Sequence, residues 1–281
     1  MDRSPPKESP PLRLPKLLAF DLDGTLLPNS KRVTPLTREV LEELRLAGCH
    51  VTLATGKFHH LARQYGEELE LDLPQISLDG ATVGGNGFDI VRRGIDVETA
   101  RQLLDSYGAE ADHAFADDGR DTMLLRSSDS KEFRWATRFW ADEVRHVEDL
   151  RDHLREPTAV VTLYGRDAAM QQVKREVLDT VPSVRIAEFW SELLEVRRVT
   201  FQPAGVDKGT GVVEVARRLG IGPEDCMVFG DWLNDLPMFG IGATNVAMSN
   251  AVAEVLDAAD HVTAHSCEDD GVARFLRDAF L

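Results

Sequence analysis

Lysine is scarce in this chain, with seven residues against 25 arginines, and cysteine is scarcer still at three. Cys49, Cys226 and Cys267 are odd in number and widely spaced, and no C-x-x-C occurs. That pattern argues against a disulfide framework or a cysteine metal site and reads as reduced thiols in a cytoplasmic protein. No apolar run approaches the roughly 18 residues of a membrane helix, and no basic cluster suggests a lipid-surface segment. Positive charge is in deficit, the formal net charge being −16. Nucleic-acid binding rests on cations that neutralise phosphates, so no nucleic-acid partner is expected. The Pro-rich stretch 1–15, MDRSPPKESPPLRLP, lacks the apolar core of a secretory signal and is expected to be a disordered lead-in. Nothing points to a protein partner.

What is present is an ordinary globular composition, 43% apolar and 28% charged, in a chain of 281 residues long enough for two domains. Short apolar runs ending in Asp, Thr-Gly or Gly alternate with helical patterns. KLLAFDLD (16–23) reads as a strand, and TPLTREVLEELRLAG (34–48) as an amphipathic helix capped by Thr34 and stopped at Gly48. CHVTLATG (49–56) is a second strand, a helix follows near 58–70, and PQISLDG (74–80) is a third strand. This βαβαβ order predicts an α/β fold: a Rossmann-like, doubly wound, mainly parallel sheet with helices on both faces.

The rhythm then breaks. GGNGFDIV (84–91) carries Asn-Gly, a hairpin signal, and no Gly-Lys-Ser/Thr follows to make it a phosphate loop. DTMLLR, AVVTLYG and AAMQQVKREVLDTV mix strands with a helix, so residues 83–196 are expected to form an inserted α+β domain. After VTFQP (199–203) the alternation resumes with a helix over 208–220, a strand CMVFGD (226–231), a helix near Leu236 and short strands at TNVAM and HVTA. The core is thus expected to combine 16–82 with 197–281.

Ligands of an open parallel sheet sit beyond the carboxyl ends of its strands. Asp21 with Asp23, Thr55-Gly56-Lys57, and Asp231 with Asn234 and Asp235 all fall there, and Lys208 starts a helix. Asp21 and Asp23, two apart in extended chain, lean to one side. Like charges ~4 Å apart repel by about 4 kcal/mol at an effective dielectric near 20. Asp231 adds to this unless a hard divalent cation, most naturally Mg²⁺, lies among the oxygens. Each group alone has an ordinary explanation: a surface turn, a strand-to-helix turn, a solvated helix start, an Asx-rich turn. Their joint occurrence, in this order at equivalent strand ends, is what points to a site.

AFDLDGTLL, VTLATG, Lys208 and VFGDWLNDLPMF resemble the four signatures of the haloacid-dehalogenase superfamily of phosphotransferases. ISLDGATV, VAMSNAVAEV (246–255) and EDDGVARFL (268–276) are similar to its Cof-type subfamily, whose α/β cap of the IIB kind lies between the second and third signatures. The resemblance implies a Mg²⁺-dependent phosphatase of small phosphorylated metabolites, sugar phosphates first, pyridoxal phosphate or nucleotide-like esters second. It implies Asp21 as the nucleophile that becomes an aspartyl-phosphate and Asp23 as general acid/base. Asp21, Asp231 and the backbone carbonyl of Asp23 would hold the metal. Thr55, the Gly56 N–H and Lys208 would bind the transferring phosphoryl group. Asn234 and Asp235 would position the metal's waters and Lys208.

Two other readings stay open: a phosphomutase of sugar phosphates, and a non-catalytic module binding a phosphorylated ligand. The second would be expected to lack Asp21, Asp23, Lys208 or Asp231, and all four are present. Three residues depart from the family pattern. Lys57 stands where Arg is usual, which loses a bidentate fork for a second anionic group. Asp79 replaces an Asn and is read chiefly as a hairpin cap. Trp232 is bulkier than usual and either packs on the following loop or faces the substrate. Arg126, Arg134, Trp135, Trp140 and Arg197 of the insertion are candidates for substrate contact, none of them assigned as a site.

Overall fold

A computed structural model of the protein describes residues 12–119, 122–127, 144–192 and 195–281. Arg134, Trp135 and Trp140 lie outside the described residues, as does most of the Pro-rich stretch. The first elements are β1 (Leu17–Phe20), α1 (Pro35–Leu46), β2 (His50–Leu53), α2 (His59–Glu68), β3 (Gln75–Ser77), β4 (Thr82–Gly85) and β5 (Phe88–Arg92). Next come α3 (Val97–Tyr107), β6 (His113–Asp117), β7 (Met123–Ser127), β8 (Val144–His146), β9 (Val161–Gly165), α4 (Asp167–Thr180), β10 (Val184–Ser191) and β11 (Val196–Pro203). The chain finishes with α5 (Lys208–Leu219), β12 (Cys226–Gly230), α6 (Leu236–Phe239), β13 (Thr244–Ala247), α7 (Ala253–Asp257), β14 (His261–Val262) and α8 (Gly271–Phe280).

Two compact units result. One contains residues 12–54, 66–73 and 212–281, and the other takes 55–65 and 74–211. In the first, a five-stranded sheet has the order β14-β13-β12-β1-β2, every pairing parallel. Strand β1 lies inside the sheet between β12 and β2, and Leu17, Leu18, Ala19 and Phe20 are all fully buried. A strand covered on both faces must be apolar throughout, as this one is. The rings of Phe20 and Phe229 lie 4.8 Å apart, and Phe275 of α8 meets Phe229 edge-on at 5.8 Å. α1 begins as its sequence predicts: the Thr34 hydroxyl accepts from the Thr37 N–H at 3.1 Å, with Pro35 in the first turn.

The second unit carries a six-stranded sheet, β10-β11-β9-β6-β7-β8, and a three-stranded antiparallel sheet, β3-β4-β5. α3 and α4 bury Leu103, Leu104, Met170, Val173 and Val177 with Leu163, Val199 and Phe201 of the larger sheet. The Asn-Gly hairpin is present between β4 and β5, with Asn86 and Gly87 at φ 54° and 82°, the left-handed pair that such a turn requires. One element departs from expectation. β3 pairs antiparallel with β4 and does not extend the parallel sheet. Leu78, Asp79 and Gly80, at φ 50°, 51° and 92°, turn the chain back directly after it.

Candidate active site

β1 and β12 run parallel with Phe20 opposite Phe229. The chain reverses its progression here: from β1 it moves to β2 on one side, while β12, β13 and β14 build outward on the other. That is the topological switch at which α/β sheets place ligands, beyond the carboxyl ends of the strands. Asp21 follows β1, and its N–H donates to the Phe229 carbonyl at 3.1 Å. Asp231 follows β12.

The loop after β1 is shaped around Asp231. Gly24 has φ 84°, and a Cβ there would lie 2.3 Å from Asp231 Oδ2, so only glycine fits. Thr25, 1% exposed, donates its hydroxyl to Asp231 Oδ1 at 2.8 Å. Asn250 donates its amide to the Gly24 carbonyl at 2.8 Å and accepts from the Cys267 N–H at 2.9 Å. Asp235 is fully buried, and its Oδ2 accepts from the backbone N–H of Asp231 at 2.8 Å and of Trp232 at 3.0 Å. The tight loop of the GDWLND segment is therefore folded around the Asp235 carboxylate.

Among the described residues, Asp21, Asp231 and Asp235 offer oxygens that all lie within 4.8 Å of one another. Asp21 and Asp231 are 5% and 8% exposed. At that spacing each ionised pair is unfavourable by about 3–4 kcal/mol at an effective dielectric near 20. The two N–H donors on Asp235 and the Thr25 hydroxyl on Asp231 offset part of this. An all-oxygen donor set at such spacing suits a hard cation, since octahedral Mg²⁺ with bonds near 2.1 Å spans about 4.2 Å between opposite ligands. The residues fit the ion. Lys31 Nζ lies 2.7 Å from Asp23 Oδ1, and both groups are partly exposed.

Thr55, Gly56, Lys57 and Lys208 belong to the second unit, apart from α5 residues beyond 211. Thr55 is buried, its N–H donates to the Ile76 carbonyl at 2.9 Å, and its hydroxyl accepts from the Lys57 N–H at 3.2 Å. Asp79 packs on this turn. Its N–H donates to the Thr55 carbonyl at 3.1 Å, and its Oδ1 would lie 3.2 Å from a Cβ on Gly56. Its Oδ2 accepts from Gln202 Nε2 at 3.0 Å. Lys208 opens α5 behind Asp207, whose Oδ1 accepts from the Thr210 N–H at 2.8 Å. Lys208 is fully buried, unlike a solvated helix-start lysine. A buried ammonium needs anionic or polar company.

Thr25, Gly24 and Asn250 were not singled out from sequence. They do stand inside the quoted AFDLDGTLL and VAMSNAVAEV stretches, and the Gly-Thr after the second acid is the signal that could have drawn attention to the first two.

A family model for haloacid dehalogenase-like hydrolases matches residues 18–276. A Bacillus subtilis protein named 5-amino-6-(5-phospho-D-ribitylamino)uracil phosphatase YitU is 27% identical over 275 residues, 95% of this chain and 98% of its own. The HMP-PP phosphatase of Enterobacter sp. (strain 638) is 28% identical over 279 residues, covering 93% and 94%. The crystal structure of TM0651 from Thermotoga maritima superposes with a TM-score of 0.80 at 25% identity, covering 94% of this chain and 97% of that one.

Proposed function

The chain belongs to the haloacid dehalogenase-like hydrolases and is a phosphatase, and from that premise we propose that it is a Mg²⁺-dependent enzyme acting on small phosphorylated metabolites through an aspartyl-phosphate. Sugar phosphates are the first substrate class and pyridoxal phosphate or nucleotide-like esters the second. The observation that carries this reading is the convergence of Asp21, Asp231 and Asp235 at the carboxyl edge of one parallel sheet.

In this reading Asp21 attacks phosphorus, the ester bond breaks, and the alkoxide leaves with a proton from Asp23. Water then attacks the aspartyl-phosphate, Asp23 takes its proton, and inorganic phosphate and free Asp21 are released. Asp21, Asp231 and the Asp23 carbonyl are assigned to hold the cation. When bound, the cation supplies positive charge that lets an anionic nucleophile approach an anionic ester. Thr55, Gly56 and Lys208 are assigned to the phosphoryl oxygens, Lys57 to a further anionic group, and Asn234 and Asp235 to positioning. Asp235 is suited to its part because it holds the backbone N–H groups of Asp231 and Trp232. The catalytic core is assigned to 16–82 plus 197–281, and the cap that selects the leaving group to 83–196.

The test is phosphate release over a metabolite panel with Mg²⁺, using the Asp21→Asn protein as blank. Turnover that continues in the blank would overturn the reading, and release that needs an added bisphosphate activator would favour the mutase.

A further inference from the structure

Trp232 directly follows Asp231 and is 52% exposed. Leu233 beside it is 47% exposed. The exposure does not match an indole packed on its own loop. An indole can bury about 150–250 Å² of largely apolar surface, and here about half of the residue's surface stays in water, one position from Asp231.

The backbone beneath it is held at several points. The Trp232 N–H donates to Asp235 Oδ2 at 3.0 Å, and its carbonyl accepts from the Asp235 N–H at 2.9 Å. On the preceding residue, the Asp231 N–H donates to the same Asp235 oxygen at 2.8 Å, and the Asp231 carbonyl accepts from the Val252 N–H at 3.0 Å. A fixed backbone with a two-torsion aromatic side chain presents surface at small entropic cost on binding. Its Cα is one peptide step, about 3.8 Å, from that of Asp231. A phosphate ester held at Asp231 would bring its organic part close to residue 232, where an exposed indole can turn toward it. A heavily hydrated polyol gains little there, whereas a planar ring gains both stacking and apolar burial.

We infer that Trp232 is a specificity-determining residue that stacks on the leaving group, ranking monophosphate esters with a planar ring ahead of simple sugar phosphates. The inference rests on the phosphatase reading and reverses the order of its two substrate classes. The experiment compares kcat/KM for pyridoxal 5′-phosphate and a nucleoside 5′-monophosphate with that for glucose 6-phosphate and glycerol 3-phosphate. The ratio of ring-bearing to sugar or polyol esters should fall about tenfold or more in Trp232→Ala and Trp232→Gln, and stay within about threefold in Trp232→Phe. A ratio unchanged in Ala and Gln, or lost equally in Phe, overturns the inference. Ligand binding is measured separately by equilibrium dialysis of pyridoxal 5′-phosphate against the Asp21→Asn protein, with and without Trp232→Ala. Should the wild type turn over nothing, the phosphatase reading fails. Dialysis then decides the inference alone: weaker binding without the indole upholds it, and equal binding overturns it.

Discussion

The Thr25 hydroxyl donates to Asp231 Oδ1 at 2.8 Å, joining residues 206 positions apart across the carboxyl edge of the sheet. Both are buried, so the bond is shielded from water and the loss of either end removes it at a cost. Thr25→Val keeps the shape and removes the donor. Urea denaturation should show a loss of about 1–3 kcal/mol, and the Mg²⁺ concentration for half-maximal activity should rise as Asp231 loses its orientation. An unchanged Mg²⁺ requirement would confine Thr25 to a role in stability.

Asp21→Asn replaces an anionic oxygen with an amide of the same size. Turnover should fall below about one per cent of wild-type kcat while circular dichroism stays unchanged. Greater residual activity, once contaminating phosphatase is removed, would contradict covalent catalysis at Asp21.

Chelation with EDTA should stop phosphate release and added Mg²⁺ restore it. The acid cluster repels itself without a cation, so the thermal unfolding midpoint should also rise with Mg²⁺ in the wild type and much less in Asp231→Asn. Full activity in metal-free buffer would remove the ion from the scheme.

Burial pushes the Cys49 thiol up to about 12, with Cys226 adding to the shift, and pushes Cys226 up to about 11. Both stay protonated where the ordinary thiol begins to ionise. Raised values in the folded state mean that their contribution to stability is whole below the ordinary value of 9.0. It is lost as pH rises through about 11 and then about 12. In native protein a disulfide-exchange reagent should therefore label Cys267, which is only partly buried, before either of the others. Cys49 and Cys226 should react only on unfolding. Rapid labelling of all three in native buffer would contradict the packing of the first sheet.

Much of the fold was legible because it depends on local pattern. The run Leu17 to Phe20 is apolar at every position, which marks a strand covered on both faces, and Thr34 with Pro35 marks a helix start. The Asn86-Gly87 turn follows from the backbone that hairpins demand. β3 was less legible: three residues, Gln75 to Ser77, carry no signal of strand direction, and the left-handed residues after them send the chain back antiparallel. Within the site, Asp235 was expected to act at one remove. One of its carboxylate oxygens lies within 4.8 Å of an oxygen of Asp21 and of Asp231, and its Oδ2 accepts two N–H groups.

The sequence by itself determined which residue types stand at the strand ends, since an apolar run followed by a carboxylate is a local feature. It also determined the α/β alternation and the break at the inserted segment. Only the tertiary structure decided which acids meet, because parallel pairing of β1 with β12 carries Asp21 to Asp231 across most of the chain. It alone turned the Asp23 carboxylate toward Lys31, closed the Gly24 loop on Asp231, and left the Trp232 indole in water. These are distances between residues far apart in sequence, or exposures set by everything packed around a side chain, and no local pattern encodes them.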